Sequence, residues 1–274
     1  MPRAHAERRA CGVQTAWTCA DTPKAAVAEI ACVVDPADIS QILVFFSQPY
    51  EAEALSVALS EAFPGVPVAG CSTSGEITCD GFSERSILVV TFPKSGFRFV
   101  SGVIPEVRSL SVDRASEVVQ ALRARFDKEG GERHPNLFAI SLIDGLSRCE
   151  EAIVSAIAWA LGDVPLVGGS AGDGLTLSGT SLLHDGRVHR GAALLLLVET
   201  EHPVQSFCCD HFEPTNTKLV VTASDTSTRT VYELNAEPAA LEYASSVGLE
   251  PSSLAPMSFA AHPVVVRIGG DYYC

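Results

Sequence analysis

No apolar run in this chain reaches the roughly 18 residues of a membrane-spanning helix. The longest, "GAALLLLVE", has the length of a buried strand. The N-terminus has no apolar core of a secretory leader, so the sequence reads as cytoplasmic. Basic charge is scarce: 19 Lys and Arg stand against 33 Asp and Glu, a formal net charge of −14. A duplex nucleic-acid binder needs a basic footprint to displace counterions, and this chain has none beyond the short "MPRAHAERRA". There is no C-x-x-C pair, so a structural zinc site has no support. Nine cysteines, an odd number without paired spacing, argue against a disulfide framework and for reduced thiols packed as small hydrophobes. No G-K-[S/T] and no G-x-G-x-x-G occurs, which excludes the two common phosphate-binding loops.

What is present is a globular composition, 47% hydrophobic and 19% charged over 274 residues. Apolar strand-like runs alternate with amphipathic stretches. "QILVFF" precedes the helical "EAEALSVALSEAF", and "NLFAISL" precedes the helical "CEEAIVSAIAWAL". "SILVVTF" and "FRFVSGVI" flank the turn "PKSG" and read as a hairpin. "TSLLHDGRVHRGAALLLLVE" reads as a second, with Asp185-Gly186 favouring a primed turn. Two small-residue turns punctuate this order: "VPVAGCSTSGE" from Val66 and "VPLVGGSAGDG" from Val164. They lie 98 residues apart (164 − 66), too far for a solenoid period.

The expected fold is therefore α/β, with mixed sheets and outer helices, built from two duplicated strand-helix-strand-hairpin units at about 38–108 and 135–206. The expected organisation is a flexible 1–12, a domain over 13–206, and a further, incomplete domain over 207–274. Two roles fit the glycine turns. Their amides form a nest for a carboxylate or another small anion, which makes Gly70, Ser72, Ser74, Gly75, Gly168, Gly169, Ser170, Gly172 and Asp173 candidate ligand-binding residues. Alternatively, they let two backbones pass closely where the units meet.

Gly168-Gly169-Ser170-Ala171-Gly172 also spells the G-x-S-x-G of a nucleophile elbow. That elbow needs a helix after the serine, and "LTLSGTSLLHDGRV" reads as turn and strand. A serine hydrolase using Ser170 is the remaining enzymatic alternative, and the leading expectation is a protein without catalytic residues. Among the seven histidines, His184 and His189 flank a hairpin turn. His211, in "CCDHFEPTNTK" between Phe207 and Phe212, has surroundings suited to presenting an imidazole to a flat apolar ligand.

"VPVAGCSTSGEI", "DGFSERSILVV", "FAISLIDGLS", "VPLVGGSAGDGL" and "VYELNAEPAALEYA" together resemble the FIST family of sensory domains, over about residues 10–274. The part to Ser206 is similar to the N-terminal FIST domain, and the rest to the opening of the C-terminal one. The resemblance implies an intracellular, small-ligand input module, with amino acids as proposed ligands. It also implies a signalling partner such as a histidine kinase or a cyclic-nucleotide enzyme. "CDHFEPTNTKLVVTASD" and "HPVVVRIGGDYYC" look closest to the NosP-type branch, which binds haem and senses nitric oxide. That branch implies non-covalent b-type haem with His211 as its iron ligand and His262 as the alternative. It also implies regulation of a histidine kinase or of a diguanylate cyclase or phosphodiesterase. The alternative is a haem-free sensor whose glycine turns hold an amino acid or small carboxylate.

Overall fold

The computed structural model describes residues 4–130, 133–174, 176, 179–207, 212–226 and 228–273. The chain divides into two compact units, Met1–Ser206 and Phe207–Cys274. No helix among the described residues is long and apolar enough to cross a membrane.

The first unit contains the same run of elements twice. The first copy is β2 (Gln14–Thr18), α1 (Pro23–Ala31), β3 (Ile39–Ser47), α2 (Ala52–Ala62), β4 (Val68–Thr73), a hairpin of β5 (Glu76–Thr78) and β6 (Gly81–Ser83), then β7 (Ile87–Pro93). It is preceded by the short β1 (His5–Arg8). The second copy is β8 (Phe97–Ile104), α3 (Val112–Glu129), β9 (Asn136–Asp144), α4 (Glu150–Leu161), β10 (Leu166–Ala171), a hairpin of β11 (Leu182–His184) and β12 (Arg187–His189), then β13 (Ala193–Thr200). Each copy thus begins one strand and one helix before the starts expected at 38 and 135.

Among the described residues, the sheets run β1-β2-β7-β3-β4-β11-β12 and β10-β9-β13-β8. Within each copy the order is the same, β2-β7-β3-β4 and β8-β13-β9-β10. The two strands joined by a crossover helix, β3 with β4 and β9 with β10, pair in parallel, and the rest pair antiparallel. This is the expected mixed α/β architecture of duplicated units. One expectation fails. β7 and β8 flank "PKSG" but lie in different sheets, so they are not a hairpin. β7 instead lies between β2 and β3, and β8 pairs with β13 of its own copy.

Alternation along the strands sorts the side chains into three apolar layers. Ile42, Val44 and Phe46 of β3 join Val27, Ile30, Leu55 and Leu59 beneath α1 and α2. Ala193, Leu195 and Leu197 of β13 join Val119, Leu122, Ile153 and Ile157 beneath α3 and α4. The opposite faces, with Leu43, Leu142, Leu194 and Leu196, meet in a layer between the two sheets. The first unit is therefore a helix–sheet–sheet–helix sandwich, and β13 is buried along its whole length. Thr22 starts α1 by accepting a hydrogen bond from the Ala25 amide at 3.2 Å, with Pro23 at the first helical position.

The second unit has β14 (Val221–Asp225), β15 (Thr230–Leu234) and β16 (Glu237–Pro238) in one small antiparallel sheet. They are followed by α5 (Ala239–Val247), α6 (Pro256–Ala261) and a hairpin of β17 (Val266–Ile268) with β18 (Asp271–Tyr273). Tyr243 and Ala244 are its buried anchors on α5. The cysteines depart from the buried-hydrophobe expectation. Of those described, Cys71 is buried, whereas Cys19, Cys32 and Cys79 are exposed. Burial pushes the Cys71 thiol up to about 12.

Two glycines within the parallel strand pairs are fixed by contact. A Cβ on Gly70 would lie 2.0 Å from the Val44 carbonyl oxygen, and one on Gly168 would lie 1.8 Å from that of Ser141. Gly169, next in β10, has nothing within 4 Å of a Cβ. Gly70→Ala and Gly168→Ala should each cost roughly 3 kcal/mol or more through overpacking. Gly169→Ala should cost less than about 1 kcal/mol. Urea unfolding midpoints check this ordering.

His184 bridges the two sheets, its Nε2 2.9 Å from Ser101 Oγ on β8. Burial, aided by the positive charges of His189 and Arg125, holds its pKa below the usual 6.5, while Asp185 opposes the shift. The fold therefore favours neutral imidazole, and the unfolded chain binds more protons below about pH 6.5. Stability is present above that value and is lost as pH falls through it. Melting curves between pH 7.5 and 5.5 should show this loss, with a flatter profile for His184→Gln.

Candidate functional site

The two glycine turns meet. Ser72, at the carboxyl end of β4, accepts a hydrogen bond from the Gly172 amide through its carbonyl oxygen at 2.9 Å. Its own amide donates to the Ser181 carbonyl at 2.9 Å, and its Oγ accepts from the Ser181 amide at 2.9 Å. Ser74 Oγ accepts from the Gly174 amide at 3.2 Å. A Cβ on Gly172 would approach that same Ser74 Oγ to 2.7 Å. The Gly75 amide donates to Thr73 Oγ1 at 3.2 Å. Asp173 is buried and accepts from Thr176 Oγ1 and the Gly179 amide, each at 2.9 Å.

Of the sequence candidates, Ser72, Ser74, Gly172 and Asp173 thus come together as a seam between the copies. Gly70 and Gly168 lie further down their strands, pressed against β3 and β9. Gly169 and Ser170 are exposed on β10. Ser170 sits inside that strand, opposite Ile143, and β11 follows as the next element. The strand-to-helix elbow of a hydrolase is therefore not formed there.

The seam encloses buried acids. Glu76, only 2% exposed, accepts from Ser47 Oγ at 2.9 Å, from Thr73 Oγ1 at 2.5 Å and from Ser86 Oγ. In the second copy, Asp144 accepts from Thr180 Oγ1 and the Gly191 amide, each at 2.6 Å, and from the Leu146 amide at 2.9 Å. Buried carboxylates so fully engaged hold loops in place. They are not aimed at a ligand.

A cleft of about 730 Å³ opens beside this region, where β2 ends and α1 begins. Trp17 and Thr18 form its floor. Cys19, Asp21, Thr22 and Glu29 form one wall, and Thr78, Asp80, Phe82 and Ser83 of the β5–β6 hairpin form the other. Trp17 stacks on His5 with ring centroids 5.5 Å apart. Thr18 Oγ1 donates to Glu29 Oε2 at 2.5 Å. Phe82 is 65% exposed. Tyr50 closes the rear by donating to the Ala20 carbonyl. Burial, reinforced by Cys19, Glu76 and Asp21, raises the Tyr50 phenol to about 12, so it stays a donor.

The lining contains three carboxylates, no Lys or Arg, and His5 as its one basic side chain. Such a wall favours a cationic or amine-bearing guest, and Trp17 and Phe82 add aromatic faces to which a cation is attracted. No motif in the sequence marks this cleft. Its signal lies in "AWTCADTP", an aromatic strand end running directly into a Thr-Pro helix start.

The histidine candidates do not converge on it. His184 and His189 lie side by side with centroids 6.4 Å apart. No group of three or more metal-binding side chains occurs among the described residues. His211, the first choice for a haem ligand, lies outside the described residues, as do Cys208, Cys209 and Asp210. His262 follows α6, where its amide donates to the Ser258 carbonyl at 3.0 Å and its carbonyl accepts from Tyr243 Oη at 2.9 Å. Axial ligation needs an imidazole at an enclosed apolar slot. His262 is exposed, and so are Phe259 and Val264 near it in the sequence. The described surroundings of His262 do not fit haem.

A family model described as the FIST N domain matches residues 40–237. No curated protein matches the chain. Among solved structures, one described as a cyanuric acid hydrolase, with evolutionary innovation by structural concatenation, aligns at 10% identity and a TM-score of 0.35. The alignment covers 72% of this chain and 67% of that one, a likeness too distant to carry an argument here.

Proposed function

The chain belongs to the FIST N domain family of signal-transduction sensory domains, and from that premise we propose that it is a ligand-input module whose ligand is a small amine-bearing metabolite of the amino-acid class, held in the cleft between β2–α1 and the β5–β6 hairpin. The observation that carries this reading is the lining: three carboxylates, two aromatic side chains and neither lysine nor arginine. Asp21 and Glu29 receive the ammonium group. Thr22, at the positive end of α1, faces the ligand carboxylate. Phe82 and Trp17 cover the remainder.

In this reading the glycine turns are the frame of the site and not its anion cradle. The amides of Gly75, Gly172 and Gly174 already have acceptors within the chain. Ligand binding alters the chain by tying the hairpin to the α1 side of the cleft. That difference between free and bound hairpin is what a signalling partner reads.

A thermal-shift panel of amino acids and small amines tests this. At about 100-fold excess over Kd, a ligand that binds only the folded state adds roughly 2.7 kcal/mol, or about 5–10 °C for a domain of this size. At least one amine-bearing member should produce such a shift, and Asp21→Asn and Glu29→Gln should remove most of it. A panel without effect, or shifts unchanged in both variants, would show that the cleft does not bind this class.

A further inference from the structure

The two copies handle their hairpins differently. The second copy sends its hairpin across to the first, where β11 adds antiparallel to the edge of β4 with Leu182 opposite Cys71, Leu183 opposite Gly70 and His184 opposite Ala69. The Asp185 side chain locks this pairing by accepting from the Val68 amide at 3.1 Å. Under that cover, Val68 to Ser72 are all buried.

The first copy has a hairpin of the same build: three residues, a two-residue turn, three residues. Among the described residues, β5 and β6 pair only with each other. Ile77 and Phe82, which face each other across the hairpin, are 79% and 65% exposed. The second copy has the matching vacancy. β10 is the counterpart of β4, yet among the described residues it pairs with β9 alone. Residues 167–170 are exposed where their counterparts in β4 are buried. Among the described residues there are therefore an unpaired hairpin and an unpaired edge, and the β11–β4 pairing displays how such halves combine.

We infer that the edge of β10 takes the β5–β6 hairpin of a second copy of this chain, adding β5 antiparallel to β10. Reciprocal exchange gives a closed pair with two identical contacts. Main-chain hydrogen bonds supply the attraction, as in strand addition generally, and the exposed Ile77 and Phe82 gain cover. The register follows from the intrachain example. His184 and Thr78 each end the first strand of their hairpin, and His184 lies opposite Ala69, whose counterpart is Val167 (69 + 98 = 167). Thr78 of one copy thus faces Val167 of the other. An exposed edge with a glycine pair and no charged side chain, "LVGGSA", has none of the features that keep edges from pairing.

Sedimentation velocity on the whole chain, from about 1 to about 100 µM, reads the equilibrium. The expected result is a concentration-dependent dimer. Thr78→Lys and Val167→Glu should each weaken it at least about tenfold, since each places one charge in a closed strand pair. The double variant, which sets Lys against Glu in both contacts, should restore it. Melting curves confirm that each variant folds. A monomer at every concentration overturns the inference without recourse to the variants, and so does a dimer that neither single substitution weakens or that the double variant fails to restore.

Discussion

The whole first unit depends on one backbone junction, where Ser72 engages Gly172 and Ser181 of the second copy through its carbonyl, its amide and its hydroxyl. A duplicated α/β unit has an apolar sheet face to bury and an open edge beside its last parallel strand. The junction addresses both. It draws β11 onto β4, which closes the edge. It also brings the two sheets face to face, so that Leu43, Leu142, Leu194 and Leu196 share one layer. Gly70 and Gly168 allow the tight strand pairing just below the seam, and a side chain at either position would strike a carbonyl oxygen. Close backbone approach accounts for the glycines at these two positions.

Once the seam is fixed, the two copies are free to differ at the ends of their strands. In the second copy, Asp144 ties Thr180, Gly191 and Leu146 together and fills the region beyond β9. In the first copy, Glu76 does similar work with three hydroxyls but sits at the root of a hairpin that stands away from the sheet. That stand-off leaves the cleft over Trp17. One hairpin therefore serves as a wall of the cleft and carries the exposed Ile77 and Phe82 on the same eight residues.

Much of this was legible in the sequence, and the failures have physical causes. The duplication showed in the 98-residue spacing of the turns, because each turn must accommodate the same close approach. The core strands showed as apolar runs because both faces are buried, as in β13. The pairing of β7 with β8 was misread. Four residues of turn chemistry look the same whether the chain returns to one sheet or steps across to another, and only the pairing of Leu88–Thr91 with β2 and β3 decides it. The candidate residues of the glycine turns were found, but their role was open, since amides that cradle an anion and amides that bind a neighbouring backbone have the same sequence signature. The cleft stayed hidden because Trp17 and Phe82 are 65 residues apart and only the tertiary fold brings them to one wall and one floor.

The most direct test of the ligand-site account uses Trp17 itself. The chain has two tryptophans, and Trp159 is 78% exposed on α4. Trp159→Phe leaves Trp17 as the sole indole, sitting in the cleft against His5. Titrating that variant with amino acids and small amines should give a saturable change in its emission for at least one amine-bearing compound, and Asp21→Asn in the same background should abolish it. An emission spectrum that none of these compounds alters, or a saturable change that survives the loss of Asp21, would contradict an acidic, amine-binding cleft as the sensing site.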